Sequence, residues 1–117
     1  MLFRSRLLTP AGERLAEALA AVPLRSAQIP VVANVTADYV TEADEIRRLL
    51  IEQVSRPVRW EESVRRMIAD GVDTFIEVGP SRTLTGFLRK IDRGVNALQV
   101  EDPASLARVL DSLGRVC

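Results

Sequence analysis

The sequence predicts an α/β fold, a short parallel sheet flanked by helices, and three observations carry that reading. Apolar residues recur at helical spacing in five segments, three short apolar runs lie between them, and the two kinds of segment alternate along the chain. The order is helix, strand, helix, helix, strand, helix, strand, helix, which calls for parallel crossovers rather than a bundle or a sandwich.

Thr9-Pro10 offers an N-cap hydroxyl followed by proline at the first helical position, and Leu15, Ala18, Leu19 and Val22 make one apolar stripe ending before Pro23. Ile29 to Val35, rich in β-branched residues, reads as a first strand covered on both faces. Thr41-Glu42-Ala43-Asp44 resembles a capping box with Asp in place of Glu, and Ile46, Leu49 and Leu50 continue a helical face on which Gln53 takes an apolar position. Arg56-Pro57 ends that helix, because proline lacks an N–H and pushes its predecessor toward extended geometry. The next helix starts near Trp60, carries Val64, Met67 and Ile68 on one face, and stops at Gly71, a left-handed C′ position. Thr74 to Val78 is a second strand running into Gly79-Pro80, after which Ser81 can cap a helix bearing Leu84, Phe87, Leu88 and Ile91. Val95 to Val100 is a third strand, and Asp102-Pro103 opens the last helix, with Leu106, Val109, Leu110 and Leu113 as its apolar stripe. Three strands are few for a parallel sheet, so the chain reads as part of a larger domain.

Composition removes several function classes. The chain has 117 residues, 47% of them hydrophobic, with 16 basic residues balancing 16 acidic ones. A neutral chain with scattered arginines carries no electrostatic footprint for nucleic acid or an anionic membrane. No apolar run is long enough to span a bilayer and no signal peptide is visible, which points to the cytoplasm. The single cysteine, Cys117, cannot form an internal disulfide. There is no histidine, which excludes Ser-His and Cys-His pairs and His metal sites built from this chain alone, and no metal site is expected.

Local chemistry is sparse. No Gly-x-Ser-x-Gly elbow occurs and no serine has a histidine to serve as its base, so autonomous acyl transfer is not expected. Gly79-Pro80-Ser81-Arg82, between a strand and a helix N-terminus, reads either as a structural turn or as backbone amides able to hold an anion. Glu77, inside an apolar strand, must be paired or exposed at the strand end, with an arginine as the default partner. Asp44-Glu45 and Glu61-Glu62 sit at helix starts, where carboxylates complement the macrodipole. Gln53 lies in a last helical turn that Pro57 makes obligatory, where carbonyls lack intrahelical partners. It either caps its own helix or leaves a carbonyl to accept a hydrogen bond from elsewhere. Arg47, Arg48, Arg65, Arg66 and Arg89 are candidates for meeting an acidic partner, against the plainer reading of helix-surface charges.

Three ordered blocks carry a family resemblance. Ile29-Pro30-Val31-Val32-Ala33-Asn34-Val35-Thr36-Ala37, Gln53-Val54-Ser55-Arg56-Pro57-Val58-Arg59-Trp60 and Phe75-Ile76-Glu77-Val78-Gly79-Pro80-Ser81-Arg82-Thr83-Leu84-Thr85-Gly86 resemble consecutive blocks of bacterial malonyl-CoA:acyl-carrier-protein transacylase. The similarity runs from about Arg6 nearly to the C-terminus and corresponds to the C-terminal third of that enzyme. It implies that 6–117 is part of an α/β-hydrolase-like large subdomain. The implied activity is malonyl transfer from malonyl-CoA, through a serine ester, to the phosphopantetheine thiol of acyl carrier protein in fatty acid biosynthesis. That implies no cofactor of the enzyme's own, since the phosphopantetheine rides on the partner.

In that family a serine in a Gly-x-Ser-x-Gly elbow is the nucleophile and a histidine is the base; the elbow belongs to regions upstream of this chain. Phe3-Arg4-Ser5-Arg6-Leu7-Leu8 aligns with the histidine block, with Arg4 where the family has histidine. A guanidinium stays protonated and has no acceptor lone pair, so Arg4 is not a competent base. The resemblance further implies that the main-chain carbonyl of Gln53 orients the catalytic imidazole, as the third member of a triad does. Asn34 matches a family asparagine near the substrate, although a turn-forming role explains it equally well. Leu2 to Ser5 can be encoded by CTCTTCCGATCT, the end of a common sequencing adapter, which marks 1–5 as a candidate non-native N-terminus. Two alternatives stay open: a non-catalytic α/β module binding acyl carrier protein through an exposed sheet edge, and a piece of a polyketide synthase acyltransferase domain.

Overall fold

The computed structural model describes residues 6–116. The chain is α/β and divides into two compact units that meet between Arg66 and Met67, inside a helix.

The first unit begins with a 3-10 turn, Arg6–Leu8, that leads into α1 (Thr9–Ala20). Thr9 is already helical, the N-cap position falling on Leu8; Pro10 sits in the first turn, where its missing N–H costs nothing. β1 (Val31–Ala33) and β2 (Asp38–Val40) follow as an antiparallel hairpin with Val31 opposite Val40 and Ala33 opposite Asp38. This corrects the reading of Ile29 to Val35 as one buried parallel strand: Ile29 is 78% exposed and Val31 50%. The chain reverses at Asn34 to Ala37, where Ala37 takes φ +53 and its N–H bonds the Ala33 carbonyl at 2.9 Å. Asn34 and Thr36 supply turn chemistry, the Thr36 hydroxyl accepting from the Asp38 N–H at 3.3 Å.

α2 (Ala43–Glu52) has Glu42 as N-cap with no side-chain cap of its own. The expected capping box is absent; the hydroxyl of Ser26, 17 positions upstream, accepts from the Ala43 N–H at 3.3 Å. α2 in turn secures the end of α1. The Arg47 guanidinium donates to the carbonyls of Leu19 and Val22, placing a cation on the C-terminal end of that helix. α1 lies against the end of α2 at Gly12, which is buried; a Cβ there would meet the Ile51 carbonyl at 3.5 Å and Val54 Cβ at 3.8 Å. Those are ordinary contacts, so Gly12→Ala is expected to stabilise by about 0.5–1 kcal/mol through helix propensity. Gly12→Val, with two further methyls in the same gap, is expected to destabilise by about 1–3 kcal/mol. Urea denaturation of the two variants should move the midpoint in opposite directions. Among the described residues Ala37, Val40, Leu49 and Val64 are the buried hydrophobic side chains of this unit.

α3 (Trp60–Ala69) ends in a Schellman motif: the Val72 N–H bonds the Met67 carbonyl, the Gly71 N–H bonds that of Ile68, and Gly71 takes φ +101. The second unit then runs β3 (Thr74–Val78), α4 (Thr83–Ile91), β4 (Asn96–Val100) and α5 (Pro103–Val116). β3 and β4 are parallel, with Thr74 opposite Asn96 and Val78 opposite Val100. The start of α5 is a reciprocal cap, as Asp102-Pro103 predicts. The Asp102 carboxylate accepts from the Ser105 N–H at 2.7 Å while the Ser105 hydroxyl accepts from the N–H groups of Glu101 and Asp102. Among the described residues Leu88 and Val109 are the buried large apolar side chains of this unit, while Val78 stands 80% exposed and Leu110 59%. No helix among the described residues is long and apolar enough to cross a membrane.

Candidate functional site

In the first unit a cleft of about 230 Å³ opens between the hairpin and α2. Val40, Ile46, Leu49 and Leu50 wall it, and Asn34 and Gln53 are its two polar side chains. Two residues singled out from the sequence are therefore brought together. Gln53 is the C-cap of α2, φ −64 and ψ −17, with its N–H on the Leu49 carbonyl at 3.0 Å. The carbonyls of Leu49, Ile51 and Glu52 are taken by the N–H groups of Gln53, Val54 and Ser55. Among the described residues nothing donates to the carbonyl of Gln53, so the helix end presents an acceptor bearing the negative pole of its dipole.

Pro57 diverts the chain, and Arg59 then fastens it to the hairpin turn. Its N–H bonds the Asn34 carbonyl at 3.1 Å and its guanidinium reaches the Val35 carbonyl at 3.3 Å. Glu62 holds the same guanidinium from the other side, in an ion pair that lowers the glutamate pKa below its usual range. The Asn34 backbone is thus pinned, while its carboxamide forms no hydrogen bond among the described residues and is only partly exposed. None of the residues lining the cleft is acidic, basic or a nucleophile. It can accept and orient a hydrogen-bond donor; it cannot move a proton. Arg4, the remaining site residue of the sequence reading, lies outside the described residues.

The turn after β3 resolves differently from its expectation. Glu77 has no arginine partner among the described residues: its carboxylate accepts from the N–H groups of Leu84 and Thr85 at 3.2 and 2.9 Å and from the Thr85 hydroxyl at 2.8 Å. Burial alone would raise its pKa, but these three donors outweigh it and hold the carboxyl below its ordinary value. Glu77 thereby caps α4, whose N-cap residue, Arg82, forms no side-chain cap; the hydroxyl of Ser81 instead meets that of Thr83. The Leu84 and Thr85 amides at this helix start are thus occupied by the chain's own carboxylate. Gly79 and Ser81 take φ +132 and +95, and the Gln99 carboxamide holds both by donating to their carbonyls at 2.8 and 3.0 Å.

The arginines offered for an acidic partner are mostly engaged. Arg48 pairs with Glu45 and Glu52, Arg65 with Glu61, and Arg66 with Asp38, while Arg47 caps α1. Arg89 alone of that group forms neither an ion pair nor a hydrogen bond among the described residues. No group of three or more His, Cys, Asp or Glu residues suited to a metal occurs among them either.

The described residues thus set an open main-chain acceptor in an apolar cleft of an α/β chain, with neither nucleophile nor base lining that cleft. Comparison with known proteins places the chain in a family. No family model matches the chain. It is 43% identical to the malonyl CoA-acyl carrier protein transacylase of Bacillus subtilis (strain 168) over 95% of its own length and 35% of that protein. A transacylase structure from Streptococcus pneumoniae superposes with a TM-score of 0.86 at 41% identity, covering 94% of this chain and 36% of that one. A malonyl-transacylase solved with a type II polyketide acyl-carrier protein superposes with a TM-score of 0.87 at 36% identity, covering 94% and 36%. The chain belongs to the malonyl CoA-acyl carrier protein transacylase family, and it spans about a third of the length of the relatives it matches.

Proposed function

We propose that this chain is the C-terminal portion, residues 6–117, of a cytoplasmic malonyl transferase of fatty acid biosynthesis. Its α/β layer completes an α/β-hydrolase-like subdomain that carries malonyl from malonyl-CoA, through a serine ester, to the phosphopantetheine thiol of acyl carrier protein. The observation that carries the reading is the open main-chain carbonyl of Gln53, set beside Asn34 in an apolar cleft by the Pro57 helix end. In the assembled enzyme that carbonyl accepts from one ring N–H of the base and leaves the other nitrogen free to take the serine proton. Asn34 contributes its unengaged carboxamide at the same cleft. With arginine at position 4 and no elbow serine, the chain by itself is catalytically incompetent.

Purified chain incubated with malonyl-CoA and acyl carrier protein should therefore form neither a malonyl-serine ester nor malonylated carrier, by mass spectrometry. Ester formation on any of its serines would overturn the reading. Sequencing upstream of the locus should give an open frame with histidine at position 4 and a Gly-x-Ser-x-Gly elbow before it. A promoter immediately before Met1 with arginine at position 4 would instead indicate a shortened relative. The polyketide reading keeps one specific support, the similarity to a transacylase solved with a polyketide carrier protein.

A further inference from the structure

The second unit holds another cleft, of about 180 Å³, between α4 and α5 over β4. It is lined by Arg82, the N-cap residue of α4, by Arg89 seven residues on, and by Arg108 and Ser112 on α5; no carboxylate lines it. Four other arginines, Arg48, Arg59, Arg65 and Arg66, each pair with a carboxylate. Arg82, Arg89 and Arg108 form no ion pair or hydrogen bond among the described residues, and all three are exposed. Asp102 touches Arg108 only by charge and spends its oxygen on the Ser105 N–H. Other polar groups at the floor are committed as well, Thr85 to Glu77 and the Gln99 amide to the turn after β3. What faces the cleft is thus three guanidiniums with their fork of donors unfilled, in a chain whose net charge is zero.

We propose that this cleft binds a diphosphate group. Gathering three like charges around one concavity is unfavourable unless an anion neutralises them, and planar guanidiniums match phosphate oxygens bidentately. The volume, equivalent to about six waters, suits a diphosphate and is too small to admit a folded segment. The inference is independent of the transacylase reading, since every residue it uses lies in the second unit and none belongs to the Asn34 and Gln53 cleft.

Equilibrium dialysis of the full chain against inorganic pyrophosphate tests it, and works whether or not the chain self-associates. Saturable binding at one site per chain is expected, weakened about tenfold by Arg89→Gln and again by Arg108→Gln, and weakened by added salt. Arg65→Gln, at a paired surface arginine, should leave it unchanged. Adenosine diphosphate in a second arm separates the sources: tighter binding than pyrophosphate assigns the site to a nucleotide-linked diphosphate, weaker binding to the free anion. Absence of saturable binding of both, or equal losses in Arg65→Gln and Arg89→Gln, would overturn the proposal. So would an acidic protein binding this face while pyrophosphate fails to compete.

Discussion

Arg4→His is expected to raise malonyl transfer by at least about 10⁴-fold in a chimaera where this chain replaces the matching third of the Bacillus subtilis transacylase. The size of the effect follows from what the two side chains offer. A guanidinium remains protonated across the working pH range and cannot take the proton from a serine hydroxyl, whereas a neutral imidazole can take it and return it to the leaving group. The open Gln53 carbonyl supplies the acceptor that would fix one ring N–H and so select the competent tautomer. Arg4→Gln is the matched control, because it removes the cation without adding a base. Rates of malonyl-serine formation in the three chimaeras separate the readings. Rescue by histidine alone, with activity rising with pH through about 6.5, supports the base assignment. Equal rates in the arginine and histidine forms would remove position 4 from the mechanism.

The second large effect concerns stability. Glu77→Ala leaves the N–H groups of Leu84 and Thr85 and the Thr85 hydroxyl without their shared acceptor, and Thr85 is a buried residue. Losing a charged helix cap that also ties β3 to α4 is expected to cost about 2–3 kcal/mol, read from urea denaturation. Glu77→Gln keeps an acceptor without the charge and should fall between. Because the folded carboxyl titrates below its usual value of 4.5, its contribution is complete above that pH and is lost as pH falls through the lower folded value. Wild-type chain should lose stability on the acid side more steeply than Glu77→Gln, and coincident acid profiles would show that the carboxylate does not stabilise the fold.

Much of the second unit was legible because its signals are local. β3 matches the apolar run at Thr74 to Val78, Gly71 sits in the left-handed conformation its position demands, and Asp102-Pro103 starts α5. The β1–β2 hairpin was not legible, since three-residue strands are too short to display a period of two and Asn34 opens no recognised two-residue turn. Caps supplied from a distance were equally hidden: Ser26 serves α2 and Glu77 serves α4, and nothing in the local pattern names them. At the candidate site, the last turn bearing Gln53 could be placed because Pro57 forbids the helix from continuing, and the structure puts Asn34 on the same cleft. Arg89 was singled out only as a helix-surface charge and Arg82 only as part of a turn, and their grouping with Arg108 was hidden because it depends on two helices meeting over β4.

The contrast between the hairpin and the parallel pair also bears on the order in which the chain acquires structure. Val31 meets Val40 across a short turn, a closure completed on the microsecond scale and available as soon as β2 has been synthesised. Thr74 cannot meet Asn96 until α4 has been traversed, so the parallel pair carries the larger loop-closure entropy and forms later. During translation β3, with Val78 bare, therefore waits for β4, its strand partner among the described residues. Pulse-labelled hydrogen exchange should protect the Val31–Val40 ladder before the Thr74–Val78 ladder.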